Sequence, residues 1–215
     1  MSSVCVKICG LSTEETLDAT LEAGADLVGF VHFPKSPRHL PLERGRELAE
    51  RARGRAQRVV LLVDPKDALL SAAVEALDPD LIQLHGRETP QRVAAIRAET
   101  GRPVMKALGI ASAGDLRALP AYAAVADRLL LDAKAPPGAD LPGGNGLTFD
   151  WDLLKGAALP AGTMLSGGLD AGNVAMALAR TGLTAVDVSS GVEIRPGEKD
   201  VAKIAEFVAA ARRRA

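Results

Sequence analysis

A chain of 215 residues with 47% hydrophobic content carries enough apolar side chain for one sizeable core, and is read as a single domain over residues 1–215. Its formal net charge of −1 argues against a broad nucleic-acid footprint while leaving room for local sites for small anions. No apolar run approaches the roughly 20 residues that span a bilayer, and no export signal precedes the first strand, so a cytoplasmic chain without a membrane partner is expected.

The first element is Val4-Cys5-Val6-Lys7-Ile8-Cys9-Gly10. Strand alternation puts Val4, Val6 and Ile8 on one face and Cys5, Lys7 and Cys9 on the other, with Cys9 at the open end beside a glycine. A parallel strand packs its apolar face on helices, so the second face looks into a barrel or cleft. Four strand steps hold the two cysteines about 13 Å apart, beyond the Cα limit of about 7 Å for a disulfide, so both are expected to be free. Without a Cys-x-x-Cys or spaced histidine pattern, no metal site is expected.

Seven more apolar runs follow, at Leu27 to Phe33, Val59 to Val63, Leu81 to Leu84, Val104 to Ala107, Leu129 to Leu131, Thr163 to Leu165 and Ala185 to Val188. Apolar positions at helical spacing lie between them, over Thr13 to Ala23, Leu42 to Arg53, Ala68 to Leu77, Pro90 to Glu99, Asp170 to Arg180 and Asp200 to Arg213. Eight βα units predict an α/β fold, a closed (βα)8 TIM barrel, with an open doubly wound sheet as the alternative. The fifth and sixth units are degenerate. Ala121 to Ala126 is short for a helix, and the Pro- and Gly-rich stretch from Pro136 to Gly146 reads as a mobile binding loop before a brief helix near Asp150 to Leu154. Arg212, Arg213 and Arg214 read as a solvated tail that suits the end of a helix.

In such a barrel the active site lies at the C-terminal strand ends. That filter selects Cys9 and Gly10, Phe33 to Arg38, Asp64, Gln83 and His85, Asp132, Ser166 to Gly168, and Ser189 to Gly191. Ser166-Gly167-Gly168 and Ser189-Ser190-Gly191 follow the seventh and eighth strands, where backbone amides and hydroxyls can cradle a phosphate, so a phosphorylated small molecule is the expected ligand. Asp132 shares a strand face with Arg128 and Leu130 and ends its strand as Cys9 ends the first. A carboxylic acid and a thiol across a barrel mouth can divide acid and base roles. Lys7, two residues below Cys9, either favours its thiolate or pairs with a carboxylate inside the barrel. Arg38 offers a bidentate fork to a planar carboxylate, or is a surface residue starting a helix. Gln83 and His85 share an inward face, where they orient hydroxyls or a ring, or fill the core.

Taken together, Lys7-Ile8-Cys9-Gly10, Gly29-Phe30, Pro34-Lys35-Ser36-Pro37-Arg38, Gln83-Leu84-His85-Gly86, Leu131-Asp132, Thr148-Phe149-Asp150-Trp151, Ser166-Gly167-Gly168-Leu169, Ser189-Ser190-Gly191-Val192-Glu193, Pro196-Gly197 and Lys199-Asp200 occur in one order over nearly the whole chain. In this ordered set the chain resembles the phosphoribosylanthranilate isomerase family. The resemblance implies an eight-fold βα barrel and a cofactor-free Amadori rearrangement in tryptophan biosynthesis, and the sequence leaves monomer and homodimer both open. It implies Asp132 as general acid, Cys9 as base, Arg38 as the grip on the anthranilate carboxylate, and phosphate at Gly168 and the Ser190-Gly191 turn. One departure stands out: the family's glycine-rich loop after the sixth strand usually ends in a basic residue, where this chain has Gly143-Gly144-Asn145-Gly146-Leu147. Two rival readings share the barrel. Another phosphosugar isomerase is one, although the histidine-pathway enzyme is expected to use aspartates in both roles; a catalytically silent barrel that binds phosphorylated ligands is the other.

Overall fold

A computed structural model of the chain describes residues 4–136, 138, 139, 141–144 and 146–213. Pro137, Asp140 and Asn145 of the expected mobile loop, and Arg214 of the expected tail, lie outside the described residues. Among the described residues eight parallel strands close in sequence order: β1 (Cys5–Cys9), β2 (Leu27–Val31), β3 (Gln57–Leu62), β4 (Leu81–Leu84), β5 (Val104–Ile110), β6 (Arg128–Ala133), β7 (Met164–Leu165) and β8 (Ala185–Val188), which returns to β1. Around them lie α1 (Glu14–Glu22), α2 (Leu42–Ala52), α3 (Asp67–Leu77), α4 (Pro90–Thr100), α5 (Leu119–Ala123), α6 (Val174–Thr181) and α7 (Val201–Arg212). This is the expected (βα)8 barrel, and its weak units are the expected ones. After β5 a single 3-10 turn, Asp115–Ala118, runs into the five-residue α5, and after β6 only the 3-10 turn Trp151–Leu154 takes the helix position.

Alternation builds two cores. Val4, just ahead of β1, and Val6 and Ile8 of β1 pack outward with Leu17 of α1 and Phe207 of α7, while Leu27, Val59, Leu81, Met105, Leu130, Met164 and Ala185 fill the barrel floor with Cys5 packed against them. A recurrent device stitches the bottom: Asp26, Asp80 and Asp127, each just ahead of a strand, accept the backbone N–H of Val6, Arg58 and Val104 on the preceding strand. Each of these amides lies within the first two residues of its strand, where the carboxylate satisfies a donor at the edge of the ladder.

Beyond shifted strand and helix ends, two features differ from the expected elements. Helix α6 starts at Val174, because the Asp170 carboxylate accepts the N–H groups of Gly172 and Asn173 and holds a turn ahead of the helix. A small antiparallel hairpin, β9 (Glu193–Arg195) with β10 (Glu198–Lys199), follows β8. Arg212 is exposed in the last turn of α7, as expected, and it also reaches back to the Gly24 carbonyl and to Asp26 at 3.1 Å, which ties α7 to the loop ahead of β2.

Candidate active site

The barrel mouth opens on a cavity lined by strand-end residues and by the β6 loop. Cys9, at the end of β1, is nearly fully buried there. Its neighbour in register is Gly29 on β2, and the register explains the glycine. A Cβ at Gly29 would stand 2.9 Å from Cys9 Sγ and 3.1 Å from Lys7 Nζ, so the missing side chain makes the space that both occupy. Lys7 lies below the cavity, fully buried, with Nζ 2.7 Å from Asp187 Oδ1 on β8. Asp187 Oδ2 accepts the Ser166 hydroxyl at 3.2 Å.

Burial pushes the Cys9 thiol above its ordinary pKa; the Lys7 ammonium opposes that, Asp187 adds to it, and Lys199 opposes it more weakly. For Lys7 burial works against the charge, yet the attraction of Asp187, with a smaller pull from Cys9, carries its pKa above the ordinary lysine value. Lys7 is ion-paired inside the barrel, and its charge is the largest influence opposing the burial that raises the Cys9 thiol.

Asp132, at the end of β6, is buried on the same cavity. Its Oδ1 accepts the Ala133 N–H at 2.9 Å, and its Oδ2 lies 3.2 Å from His85 Nε2. His85 Nδ1 is in turn 3.1 Å from Gln83 Nε2. The imidazole bridges the Gln83 amide and the Asp132 carboxyl group. The Gln83–His85–Asp132 chain thus fixes the direction of the carboxyl group. Gly143 sits over it, so close that a Cβ there would fall 2.5 Å from both Asp132 Oδ2 and His85 Nε2.

Arg38 is not a surface residue. It is buried, with Nε and Nη2 at 2.7 and 2.8 Å from the two oxygens of Glu193, and Nη2 also donates to the Gly144 carbonyl at 3.2 Å. Glu193 accepts a third bond from Lys199 Nζ at 2.8 Å. Burial works against the Glu193 charge, but Arg38 and Lys199 hold its carboxyl below the ordinary value. Lys199 is pulled below the usual lysine value by burial and by Arg38, against the attraction of Glu193 and Cys9.

Ser166, Gly167 and Gly168 line one side of the mouth, with Ser189 and Ser190 beside them. Ser189 Oγ donates to the Cys9 carbonyl at 3.0 Å and accepts from Lys199 Nζ at the same distance, which locks this turn to the end of β1. Gly191 lies outside the lining, pressed on the Leu169 carbonyl where no side chain fits. Opposite the turns, Val31, Phe33, Leu61 and Val63 form an apolar wall. The described part of the β6 loop, from Leu141 through Gly144 with Gly146 and Leu147, covers the cavity. Asp64 falls outside the site: at a left-handed φ of 46°, it accepts the Arg87 N–H at 2.7 Å and pins two rim loops together. Of the residues singled out in the sequence, the structure brings Cys9, Asp132, Arg38, Gln83, His85, Ser166 to Gly168, Ser189 and Ser190 together at one mouth. Sequence reasoning missed Asp187 on the lining, and the Glu193 and Lys199 side chains behind Arg38.

Comparison with known proteins agrees with this geometry. The family model described as N-(5'phosphoribosyl)anthranilate (PRA) isomerase matches residues 6–210. An N-(5'-phosphoribosyl)anthranilate isomerase of Azorhizobium caulinodans is 65% identical over 205 residues, which cover 95% of this chain and 90% of that protein. Among solved structures, phosphoribosyl anthranilate isomerase of Thermotoga maritima is 35% identical, with a TM-score of 0.86 over 97% of this chain and 98% of that one. A phosphoribosyl anthranilate isomerase in complex with reduced 1-(o-carboxyphenylamino)-1-deoxyribulose 5-phosphate is 33% identical, with a TM-score of 0.83 over the same shares. From barrel, cavity and relatives alike, the chain belongs to the N-(5'-phosphoribosyl)anthranilate isomerase family.

Proposed function

We propose that the chain converts N-(5-phosphoribosyl)anthranilate into 1-(2-carboxyphenylamino)-1-deoxyribulose 5-phosphate in L-tryptophan biosynthesis, as a single cytoplasmic domain that is a monomer or homodimer. No described helix is long and apolar enough to cross a membrane. The observation that carries the reading is the meeting of Cys9 and Asp132 in one cavity whose rim also holds Arg38, Ser166 to Gly168, Ser189 and Ser190.

In the proposed chemistry Asp132 donates a proton to the ribose ring oxygen while the C1–O bond breaks and the anilino nitrogen forms a protonated Schiff base. The Cys9 thiolate then takes the proton from C2, and those electrons form the C1–C2 double bond and neutralise the nitrogen. The resulting aminoenol gains a proton at C1 and loses one from the C2 hydroxyl, which leaves the ketone. Carbon 1 is reduced as carbon 2 is oxidised, so the step balances without an external electron acceptor. Lys7 supports the thiolate from below, and Gln83 and His85 orient the Asp132 carboxyl. Arg38 holds the anthranilate carboxylate, with the ring against the wall of Val31, Phe33 and Leu61. The phosphate rests on Gly167, Gly168, Ser189 and Ser190, where amides and hydroxyls supply what the Gly143 to Leu147 segment lacks in basic side chain.

Loss of anthranilate-type fluorescence on mixing the purified protein with freshly generated phosphoribosylanthranilate tests the function. Absence of any change across the pH range rejects it. Cys9→Ala and Asp132→Asn each lower kcat by about 10²–10⁴-fold if the roles are right, and unchanged turnover in both rejects the roles.

A further inference from the structure

The Ser189-Ser190-Gly191-Val192-Glu193 segment ends in a carboxylate that the proposed chemistry leaves unused, and Lys199 six residues on is equally idle. Both side chains are buried, on the two strands of the hairpin that follows β8. Glu193 takes the Nε–Nη2 edge of Arg38 in a two-pronged pair. That leaves the Nη1–Nη2 edge turned toward Gly144, whose carbonyl accepts from Nη2 and whose missing Cβ would stand 2.6 Å from Nη1. Lys199 Nζ spends its three protons on Glu193 Oε1, the Ser189 carbonyl and Ser189 Oγ at 2.8, 2.8 and 3.0 Å, the full capacity of an ammonium. Two cations against one carboxylate leave this buried triad with one surplus positive charge.

We propose that Glu193 and Lys199 are positioning residues, which aim the free edge of Arg38 into the cavity and set a surplus charge that a ligand carboxylate neutralises in place of the Gly144 carbonyl. The inference rests on the reading of Arg38 as the carboxylate grip. It accounts for two charged side chains on an otherwise unremarked hairpin. It also accounts for their bonds to Ser189: the same lysine that steadies Glu193 fixes the turn assigned to the phosphate, so the grips for both ends of the substrate hang from one buried network. A guanidinium fork with one edge fixed in advance loses less freedom on binding than a swinging one.

The test is calorimetric binding of two reduced product analogues, 1-(2-carboxyphenylamino)-1-deoxyribitol 5-phosphate and its phenylamino counterpart without the carboxyl group. Wild-type protein is expected to prefer the carboxylated compound by about 10–100-fold, the worth of a charge-assisted pair. Lack of that preference would overturn the reading of Arg38 itself. Given the preference, Glu193→Gln unseats the Arg38 fork and is expected to weaken the carboxylated analogue by about 10–100-fold, the lost aim outweighing the extra positive charge left behind, and the other by less than about threefold. An unchanged preference in Glu193→Gln, or an equal loss for both compounds, refutes the positioning role. Should Glu193→Gln fail to fold by circular dichroism, Lys199→Met and Lys199→Arg decide. Loss of the preference in the first and its retention in the second support the inference, and any other pattern overturns it.

Discussion

Replacing Lys7 by methionine separates what a buried ion pair does for stability from what it does for a neighbouring thiol. Lys7 is fully buried and Asp187 is 4% exposed, with 2.7 Å between the charges. Removal of the ammonium leaves the Asp187 carboxylate with the Ser166 hydroxyl as its remaining side-chain bond. Breaking such a pair from one side costs about 3–5 kcal/mol, because the surviving charge stays out of water. A chain of this size loses about 2–4 °C per kcal/mol, so the melting temperature falls by about 6–20 °C. Independently, Lys7 is the strongest influence opposing the burial that raises the Cys9 thiol, so its loss pushes that thiol higher still. Each unit of rise removes about tenfold of the thiolate, and kcat/KM follows. The double variant Lys7→Met/Asp187→Asn carries neither charge. It is expected to regain most of the lost stability, since a neutral pair of similar volume carries no uncompensated charge. Activity returns only in part: Asp187 raises the Cys9 thiol by less than Lys7 lowers it, so removing both leaves a net loss of thiolate. Thermal melts followed by circular dichroism and steady-state kcat/KM on the three proteins provide the readout. A double variant as unstable as Lys7→Met, or one whose activity recovers in step with its stability, would refute the reasoning.

Three further outcomes are expected. Gly29→Ala places a methyl group 2.9 Å from Cys9 Sγ on a strand whose register is fixed on both sides, so about 1–3 kcal/mol of stability is lost together with activity; wild-type kcat at wild-type melting temperature would mean the space is not needed. In a Cys5→Ser background the ultraviolet thiolate absorbance of Cys9 has its midpoint above the ordinary 9.0, and Lys7→Met moves it up; a midpoint below 9.0 would show that the two lysines outweigh burial. Asp115 has its carboxyl lowered from 3.8 to about 2, first by Lys134 and then by the Ala111 and Ser112 donors, so the stability it supplies is present above pH 3.8 and lost as pH falls through about 2. After allowance for solvent screening, Asp115→Asn costs about 1 kcal/mol at pH 7, and the gap in melting temperature narrows on acidification; a gap that widens contradicts the assignment.

The barrel was legible because each strand states its period locally. Val4, Val6 and Ile8 alternate with Cys5, Lys7 and Cys9, and the two sets divide between the outer core and the barrel interior. The errors sit where side chains rewrite the local rule. Asp170 and Asn173 satisfy each other's backbone and delay α6 by a turn, although the apolar spacing alone carries the helix back to Asp170. The hairpin after β8 escaped notice because its strands, Glu193–Arg195 and Glu198–Lys199, are too short for alternation to register.

The site divides along the same line. Cys9, Asp132, His85 and the two serine-glycine turns were found because position at a strand end is itself a functional filter in a barrel, and each lies at the end of its own strand. Asp187 lies within β8 rather than past it, flanked by Val186 and Val188, and so passed as one polar step in an apolar run. A signal for it did exist. Barrel closure pairs the first strand with the last, and the register sets Lys7 beside Asp187, the one inward cation of β1 against the one inward carboxylate of β8. A buried lysine demands a carboxylate, and closure says on which strand to look. No comparable rule reaches Glu193 and Lys199. Glu193 meets Arg38 across 155 residues, between the β2 loop and the hairpin, with Lys199 bound to Glu193 behind it, and both contacts depend on where a short turn points rather than on any strand period. Charges that serve a site from behind are set by such long-range packing, so they become visible only when the burial of Arg38 forces the question of what neutralises it.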